Sequence, residues 1–525
     1  MVADPGAKRR YEAAKLLSTS ASWCGYGRAS RVNEHSGPMN RRTFVHTAGA
    51  AGLGLSGWLR ADAGGAVPVL VKMLEESPRE RVSGELVRMI RTGLTYEDLL
   101  SALALAATRN IQPYPDVGYK YHSVMMLRSV HSTRQQLPPA ERWLPLIWAV
   151  DYFKDAQAQE QASSGWHMST RAATADANAE AARRSLAVAL DSWDHEAADA
   201  AIVAYARSAP PADIFSLLFS YGARDLREIG HKAITVSNAH SLMTLFGGGA
   251  APESILRSTV AALLNSEGEP VPATHDLAPD RPWRRNRERL HHIPRSWKQG
   301  RDDPGARAEL RAALYRVSAE ESGGAVVEML RRGISPDALW QVLFDTAAEL
   351  LMHQPGIVTL HAQTTANALH YAYRVCDQEQ TQQMTLLQCA AFVAMFREIT
   401  HTMETDVNLQ KLEPLPLERK GIDPLEEIFS DLSTGHRPEA TRKTLGYLRN
   451  GGNADTLIAT ARQHLVYGAQ EAHDYKFAEA VFDNYAQFTD PAWRSRFLSA
   501  GMAYFKAPSQ RPVPIVAETL KLFQT

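Results

Sequence analysis

Four histidines of this 525-residue chain occupy equivalent positions in a repeated pattern: His122, His231, His361 and His473. His361 follows His122 by 239 residues, and His473 follows His231 by 242. Histidines that only filled core positions would not be expected to keep such a register. If the repeats pack around one axis, the four imidazoles converge, and neutral imidazole binds Fe, Zn, Cu or Ni. The spacing therefore predicts a metal site, with a hydrogen-bonded core histidine as the alternative for any one of them.

Lys476 stands three residues after His473, so on a helix both side chains lie on one face. Four neutral ligands leave the charge of a divalent cation uncompensated, and an anionic ligand is therefore expected. A buried lysine can lose its proton, and a neutral amine can add carbon dioxide to give a carbamate, which is an anionic oxygen ligand. We predict that Lys476 is a ligand and a catalytic residue, with an ordinary surface lysine as the alternative.

A second histidine follows the first after nine residues in three of the four repeats, as His131, His240 and His370. Nine residues are about two and a half helical turns, so on a straight helix the second side chain points to the opposite face. We expect these histidines to support the ligands from behind or to be structural, and to reach the metal only if the helix bends. The fourth repeat has Phe482 at this position.

The elements that position the histidines are predicted to be helices, because apolar residues recur at intervals of three and four. Two pairs of segments align with each other: 86–103 with 326–343, and 202–218 with 445–461. In the first pair, Gly93 or Gly333 ends one helix and Thr95 or Ser335 caps the next. A loop and a third helix with the histidine follow. The predicted fold class is all-α, with four tandem helical units forming two duplicated modules around a pseudo-symmetric centre.

The N-terminal region is predicted to be a leader. The pair Arg41-Arg42 precedes an apolar stretch, and the residues at 61–63 form an Ala-Asp-Ala cleavage site. We interpret 39–63 as a twin-arginine signal peptide and 1–38 as an over-extended gene start. This predicts transport by the twin-arginine export machinery and a periplasmic or secreted location. A disordered basic tail is the alternative.

The remaining chain is predicted to contain two modules and a connector. The first helical module covers 64–266 and the second covers 306–525. Between them, 267–305 is rich in proline and arginine. We interpret this segment as a solvated, partly extended linker.

Composition and missing motifs exclude several classes of protein. A formal net charge of -1 argues against a broad nucleic-acid surface. Three cysteines are too few for a disulfide scaffold or a cysteine-rich zinc module. No segment after the leader has the uninterrupted apolar length of a membrane span. The sequence also lacks the motifs of dinucleotide-binding folds, P-loops, zinc proteases and serine hydrolases.

Helices with two histidines nine residues apart, and a late His473-Asp474-Tyr475-Lys476 motif, resemble the questin oxidase-like family. The resemblance covers 84–507 and is most specific at HDYKFAEAVFDNY. It implies oxidation or ring opening of anthraquinone-type polyketides with molecular oxygen. It further implies a mononuclear non-haem iron held by the four histidines of the repeats and by a carboxylated Lys476. The twin-arginine leader and the long insertions depart from the family pattern.

Three functional hypotheses follow. In the first, the protein is an oxidoreductase, a mononuclear non-haem iron oxygenase that uses Fe(II) and molecular oxygen on an aromatic or quinone-like small molecule. In the second, it is a zinc-dependent hydrolase in which carboxylated Lys476 helps to activate water. In the third, it is a non-enzymatic helical-repeat binding protein whose histidines form core hydrogen bonds.

Overall fold

A computed structural model describes residues 66–113, 119–171, 178–246, 253–402, 407–418 and 421–524. The described residues form 23 α-helices and no strands, which confirms the all-α prediction. The predicted signal peptide and gene start lie outside the described residues. Of the helices described, none combines the length and apolarity needed to cross a bilayer.

The helices are numbered here in chain order. They are α1 (Ala66–Glu76), α2 (Arg79–Arg91), α3 (Tyr96–Asn110), α4 (His122–Met125), α5 (Leu127–Thr133), α6 (Leu144–Ser163), α7 (Ala179–Ser192), α8 (His195–Ser208), α9 (Pro211–Gly222), α10 (His231–Leu245), α11 (Glu253–Leu263), α12 (Arg281–Arg289), α13 (Pro304–Leu314), α14 (Ala319–Arg331), α15 (Pro336–His353), α16 (Ile357–Val375), α17 (Glu379–Thr400), α18 (Pro424–Ser433), α19 (Arg437–Arg449), α20 (Ala454–Gly468), α21 (Ala472–Gln487), α22 (Pro491–Ala500) and α23 (Pro514–Gln524).

The predicted turns are present. Gly93 and Gly333 have positive φ angles of 105° and 77°, a conformation that favours glycine after a helix end. Thr95 accepts a hydrogen bond from the Asp98 amide, and Ser335 caps α15 in the same way. In each of the four predicted units, two helices and a loop precede the helix with the histidine. The duplication of a two-unit module stays a prediction from the sequence.

The helices that carry the four histidines pack around a common centre. Helix α16 packs against both α10 and α21, while α5 contacts both α10 and α21. The short helix α4, which directly precedes α5, also contacts α10. These contacts close a ring of helices, and the ring brings together residues that are far apart in the chain.

The segment 267–305 differs from the extended linker predicted for it. Its centre forms α12, which packs against α14 and α17. Asn286 is fully buried and donates a hydrogen bond of 2.8 Å to Gln388. The buried Trp297 donates a hydrogen bond of 2.7 Å to Glu379. These buried anchors hold the segment against the second half of the chain, so its centre is helical and packed rather than extended, while most of its side chains are exposed or partly exposed. Its role as a linker between two modules stays a prediction.

Candidate metal centre

The four histidines of the repeat register lie near the N-terminal ends of their helices. His122 and His231 begin α4 and α10, and His473 is the second residue of α21. His361 is the fifth residue of α16. All four side chains are buried, with at most 5 % of any one exposed. The helix starts therefore place four imidazoles inside the ring of helices.

The four imidazoles form a closed ring, and their order around the ring is their order in the sequence. The ring centroids lie 5.1 Å apart for His122 and His231, 4.7 Å for His231 and His361, and 5.0 Å for His361 and His473. The fourth side joins His473 to His122 at 4.4 Å. One nitrogen from each residue lies within 4.8 Å of the others. The predicted convergence is confirmed, and the cluster could hold a metal ion.

The shortest nitrogen–nitrogen distance suits two ligands of one metal ion. Two nitrogens at about 2.1 Å from a cation lie about 3.0 Å apart at a right angle and about 4.2 Å apart when opposite. The Nε2 atoms of His231 and His361 are 3.0 Å apart. Two such atoms must either share a proton or direct both lone pairs at a common cation.

On His361 and His473, Nδ1 contacts a group outside the cluster, which leaves Nε2 free to bind a metal ion. The Nδ1 atom of His361 donates to the carbonyl oxygen of Ile357 at 2.6 Å. The Nδ1 atom of His473 lies 3.4 Å from the carboxylate of Glu471. A donor at Nδ1 makes Nε2 the lone-pair nitrogen, as in histidines that bind metals. The Nε2 atom of His473 is buried and has no hydrogen-bond partner among the described residues.

Electrostatics keep the centre neutral. Burial holds the pKa values of His231, His361 and His473 well below the usual range, and the charge of Lys476 lowers all three pKa values further. Neutral imidazole is the form that binds metals. The arrangement therefore supplies ligands that need not lose a proton near neutral pH.

Lys476 lies one helical turn after His473 on α21, close enough for its charge to lower the pKa values of three of the four histidines. Its side chain is 4 % exposed, and its Nζ atom has no hydrogen-bond partner within the described part of the chain. Burial lowers the pKa of this amine to about 7, with Glu471 acting in the opposite direction. The alternative, an ordinary surface lysine, does not fit a side chain that is this buried. A substantial fraction of the amine is neutral at pH 7.

A strained segment that the sequence analysis missed positions His231. Glu228, Ile229 and Gly230 have consecutive positive φ angles of 53°, 48° and 88°. A side chain at Gly230 would meet Thr365 of α16, since a Cβ atom there would lie 2.1 Å from the Thr365 hydroxyl oxygen. That hydroxyl donates a hydrogen bond of 3.0 Å to the carbonyl of Ile229. The strain is tolerated where it fixes the start of α10 against the helix that carries His361.

The capping interactions of α21 also escaped the sequence analysis. Glu471 caps this helix, and its side chain and that of Asp474 bind backbone amides reciprocally. Asp474 also forms an ion pair of 2.9 Å with Lys506. The signal in the sequence was Glu471 followed three residues later by Asp474. This capping box fixes the first turn of α21 and therefore the position of His473.

The second histidines lie outside the four-nitrogen cluster and contact aromatic rings. His131 packs 5.8 Å from the ring of Tyr96. The Nδ1 atom of His240 is 2.8 Å from the Tyr371 hydroxyl. His370 lies 4.8 Å from the ring of Trp340 and 5.2 Å from that of Phe344. These contacts are packing and hydrogen-bonding roles, and a role in supporting the ligands stays a prediction.

Comparisons with protein-family models, with curated proteins and with solved structures found no significant match to this chain. The geometry of the centre is therefore the main ground for a functional proposal.

Proposed function

We propose that the protein is a metal-dependent oxidoreductase that holds one iron ion and oxidises an aromatic or quinone-like small molecule with molecular oxygen. The ligands would be the four clustered histidines and Lys476. The observation that carries the proposal is the convergence of four buried imidazoles, each with one nitrogen within 4.8 Å of the others. The resemblance to the questin oxidase-like family supports the choice of iron and of oxygen chemistry.

The four histidines bring no negative charge to balance a divalent cation. His231 and His473 also lie in the first turn of long helices, where the helix dipole favours anions over cations. Both arguments call for an anionic ligand inside the centre. Lys476 can supply it, because the nitrogen of its neutral amine can bond to the carbon of carbon dioxide and release a proton. The product is a carbamate with one negative charge.

Two of the four histidines are held in place by groups outside the centre. The carbonyl of Ile357 orients His361, and Glu471 lies beside Nδ1 of His473. A bound iron ion would supply a site for dioxygen and a source of electrons. Burial of the ligands excludes bulk water from that site. The Lys476 carbamate could also accept a proton from a substrate hydroxyl group.

The same residues could serve a zinc hydrolase, because imidazole nitrogens and carboxylate oxygens are also zinc ligands. We propose iron first because the carried-over pattern of four histidines and one carboxylated lysine implies it. Export by the twin-arginine route, which transports folded proteins, would allow iron to be inserted before the protein leaves the cytoplasm. A periplasmic or secreted location is part of this proposal.

Metal analysis of protein purified after native export tests the proposal. We expect one iron per chain, and we expect metal to raise the unfolding free energy by about 2.7 kcal/mol at one hundred times the dissociation constant. His231→Ala should abolish both effects, whereas the control variant His436→Ala should retain iron because His436 is exposed and lies outside the cluster. Stoichiometric zinc would favour the hydrolase, and no tightly bound metal would contradict both enzymes.

The carbamate has its own measurement. Isotopically labelled bicarbonate should give a carbamate signal in the wild type that Lys476→Met removes. An iron-loaded wild-type protein without that signal would contradict the role of Lys476 while leaving the histidine centre intact.

A further inference from the structure

Two adjoining cavities lie close to the histidine cluster. The outer cavity has a volume of about 260 Å³, and the inner one about 30 Å³. Four residues line both: Arg128, Ser129, Asn367 and Ala480. The shared walls make the two cavities neighbours, and we call this pair the passage, with a wide outer part and a narrow inner part.

The inner cavity begins one helical turn beyond the histidines. Its wall includes the residue three positions after each ligand, namely Met125, Ile234, Thr364 and Lys476. Residues three apart share a helix face, so the four helices that hold the histidines also form this wall. A volume of about 30 Å³ holds two or three water-sized molecules. The inner cavity therefore admits dioxygen, carbon dioxide or the reacting edge of a substrate, and the body of a substrate must stay outside.

Positive charge exceeds negative charge at the junction of the cavities. Arg128 pairs with Asp483 at 2.9 Å, and Arg374 pairs with the same carboxylate oxygen at 3.5 Å. Asn367 donates a third interaction to that oxygen at 2.8 Å. One carboxylate thus serves two guanidinium groups, which leaves one positive charge uncompensated within this cluster.

The remaining charges do not reverse this excess. In the outer cavity, Arg462 and Glu479 form a bidentate pair of 2.9 and 2.7 Å and neutralise each other. Among the described residues that line the inner cavity, the ionisable side chains are Arg128 and Lys476, and none is a carboxylate. The passage therefore favours neutral and anionic molecules over cations.

We propose that the outer cavity binds a compact organic anion, an aromatic carboxylate or phenolate, whose anionic group pairs with Arg128. This inference rests on the proposed function, because it names the substrate class of that centre. The guanidinium group offers a planar fork that matches a carboxylate. Phe482, Ala480 and Ala486 supply apolar wall for a ring. A volume of about 260 Å³ lies just below the range of drug-sized pockets, which suits a substrate of one or two rings.

Calorimetric binding of benzoate, with neutral benzamide as its matched analogue, tests the proposal at constant ionic strength. Benzoate should bind at least tenfold more tightly than benzamide. Arg128→Gln should weaken benzoate binding about tenfold without affecting benzamide. Asp483→Asn should strengthen benzoate binding, because it frees Arg128 from its carboxylate partner. The exposed control Arg184→Gln should change neither.

A steric variant locates the binding site. Ala486 is exposed and lines the outer cavity but not the inner one. Ala486→Trp should therefore block benzoate while leaving the fold and the metal content unchanged. Equal binding of benzoate and benzamide, or weaker benzoate binding by Asp483→Asn, would overturn the proposal.

The measurements are repeated on metal-free protein to separate the two proposals. Arg128-dependent benzoate binding without tight metal binding would support the anion site and contradict the metal-dependent function. Tight metal binding without charge-selective benzoate binding would support the centre and contradict the anion site. If Arg128→Gln does not fold, Arg128→Lys keeps the charge without the fork, and the opposite shift expected from Asp483→Asn still decides the result.

Discussion

His231 and Lys232 are neighbours in the chain, but their side chains enter two different kinds of buried cluster. Lys232 donates to both carboxylate oxygens of Asp225, at 3.1 and 2.8 Å. Arg224 pairs with the same carboxylate at 3.5 Å and donates to two backbone carbonyls. His231 instead faces another imidazole, that of His361, with Nε2 atoms 3.0 Å apart. Lys232 therefore pairs with a group of opposite charge, whereas His231 contacts a second imidazole.

Arg227 belongs to the same charged cluster as Lys232 and Arg224, and it too is fully paired. Arg227 forms a bidentate pair with Asp280 at 3.2 and 2.7 Å and also donates to two backbone carbonyls. The ring of Trp193 lies within 5.3 Å of all three basic side chains, Arg224, Arg227 and Lys232. Each cation therefore has both an acceptor and an aromatic face.

The difference separates structure from function. The burial of the charged side chains is explained by their partners, because the ion pairs and hydrogen bonds offset the cost of desolvation. A shared proton could join His231 to His361, but it would not explain why four imidazoles meet. The metal ion that we propose would explain it. The contrast predicts that the charged cluster controls stability while the histidine centre controls binding.

The largest expected effect on stability is in the charged cluster. Asp225→Asn keeps the size of the side chain but leaves Lys232 and Arg224 buried beside a neutral group. We expect a loss of about 3–5 kcal/mol in the free energy of unfolding, the usual result of breaking a buried ion pair. Chemical denaturation of the metal-free protein measures it.

The control for that variant is Asp213→Asn, because Asp213 is exposed in the first turn of α9. It should cost well under 1 kcal/mol. A loss of that size for Asp225→Asn would contradict the comparison. The metal-free His231→Ala variant should lose less stability than Asp225→Asn, since it leaves a small cavity and a neutral ring rather than buried charges without their partner.

A third region shows that an unsatisfied buried atom need not indicate a metal. The Oδ1 atom of Asp345 is buried without a hydrogen-bond partner among the described residues. Burial, with a contribution from the charge of Glu349, raises the pKa of Asp345 from 3.8 to about 7. A bound proton can therefore neutralise the Asp345 carboxylate, and no metal ion is needed there. Between these two pKa values the folded state holds more protons than the unfolded state, so this group makes stability fall as pH rises towards 7.

Asp345→Asn should remove that pH dependence. Relative to the wild type, the variant should gain about 3 kcal/mol of stability between pH 5 and pH 8, at 1.36 kcal/mol for each pH unit below the folded pKa. Urea denaturation at several pH values measures the difference. A constant difference across this range would show that Asp345 is already ionised in the folded protein at pH 5.

The repeat register predicted the histidine centre because each unit contributes one residue at the same local position. The turns at Gly93 and Gly333 were also predictable, because a glycine and a capping residue are local signals. The pairing of Asp225 with Lys232 and Arg224 was not, since nothing in the spacing distinguishes buried charges from exposed ones. The packing of 267–305 was not predictable for the same reason: Arg and Pro suggest an extended segment, but the burial of Trp297 depends on distant helices.

The smallest expected effect concerns the orientation of a single ligand. Glu471→Gln retains the oxygen that caps α21 but removes the negative charge beside Nδ1 of His473. Loss of a group behind a metal-binding histidine typically costs 10–100-fold in affinity. We expect about tenfold here, because the contact is 3.4 Å long and the Glu471 side chain is 36 % exposed. Competition with a chelator measures the affinity, and Glu253→Gln in the first turn of α11 is the matched control. An unchanged affinity would mean that the capping box alone, rather than the carboxylate charge, positions His473 for binding.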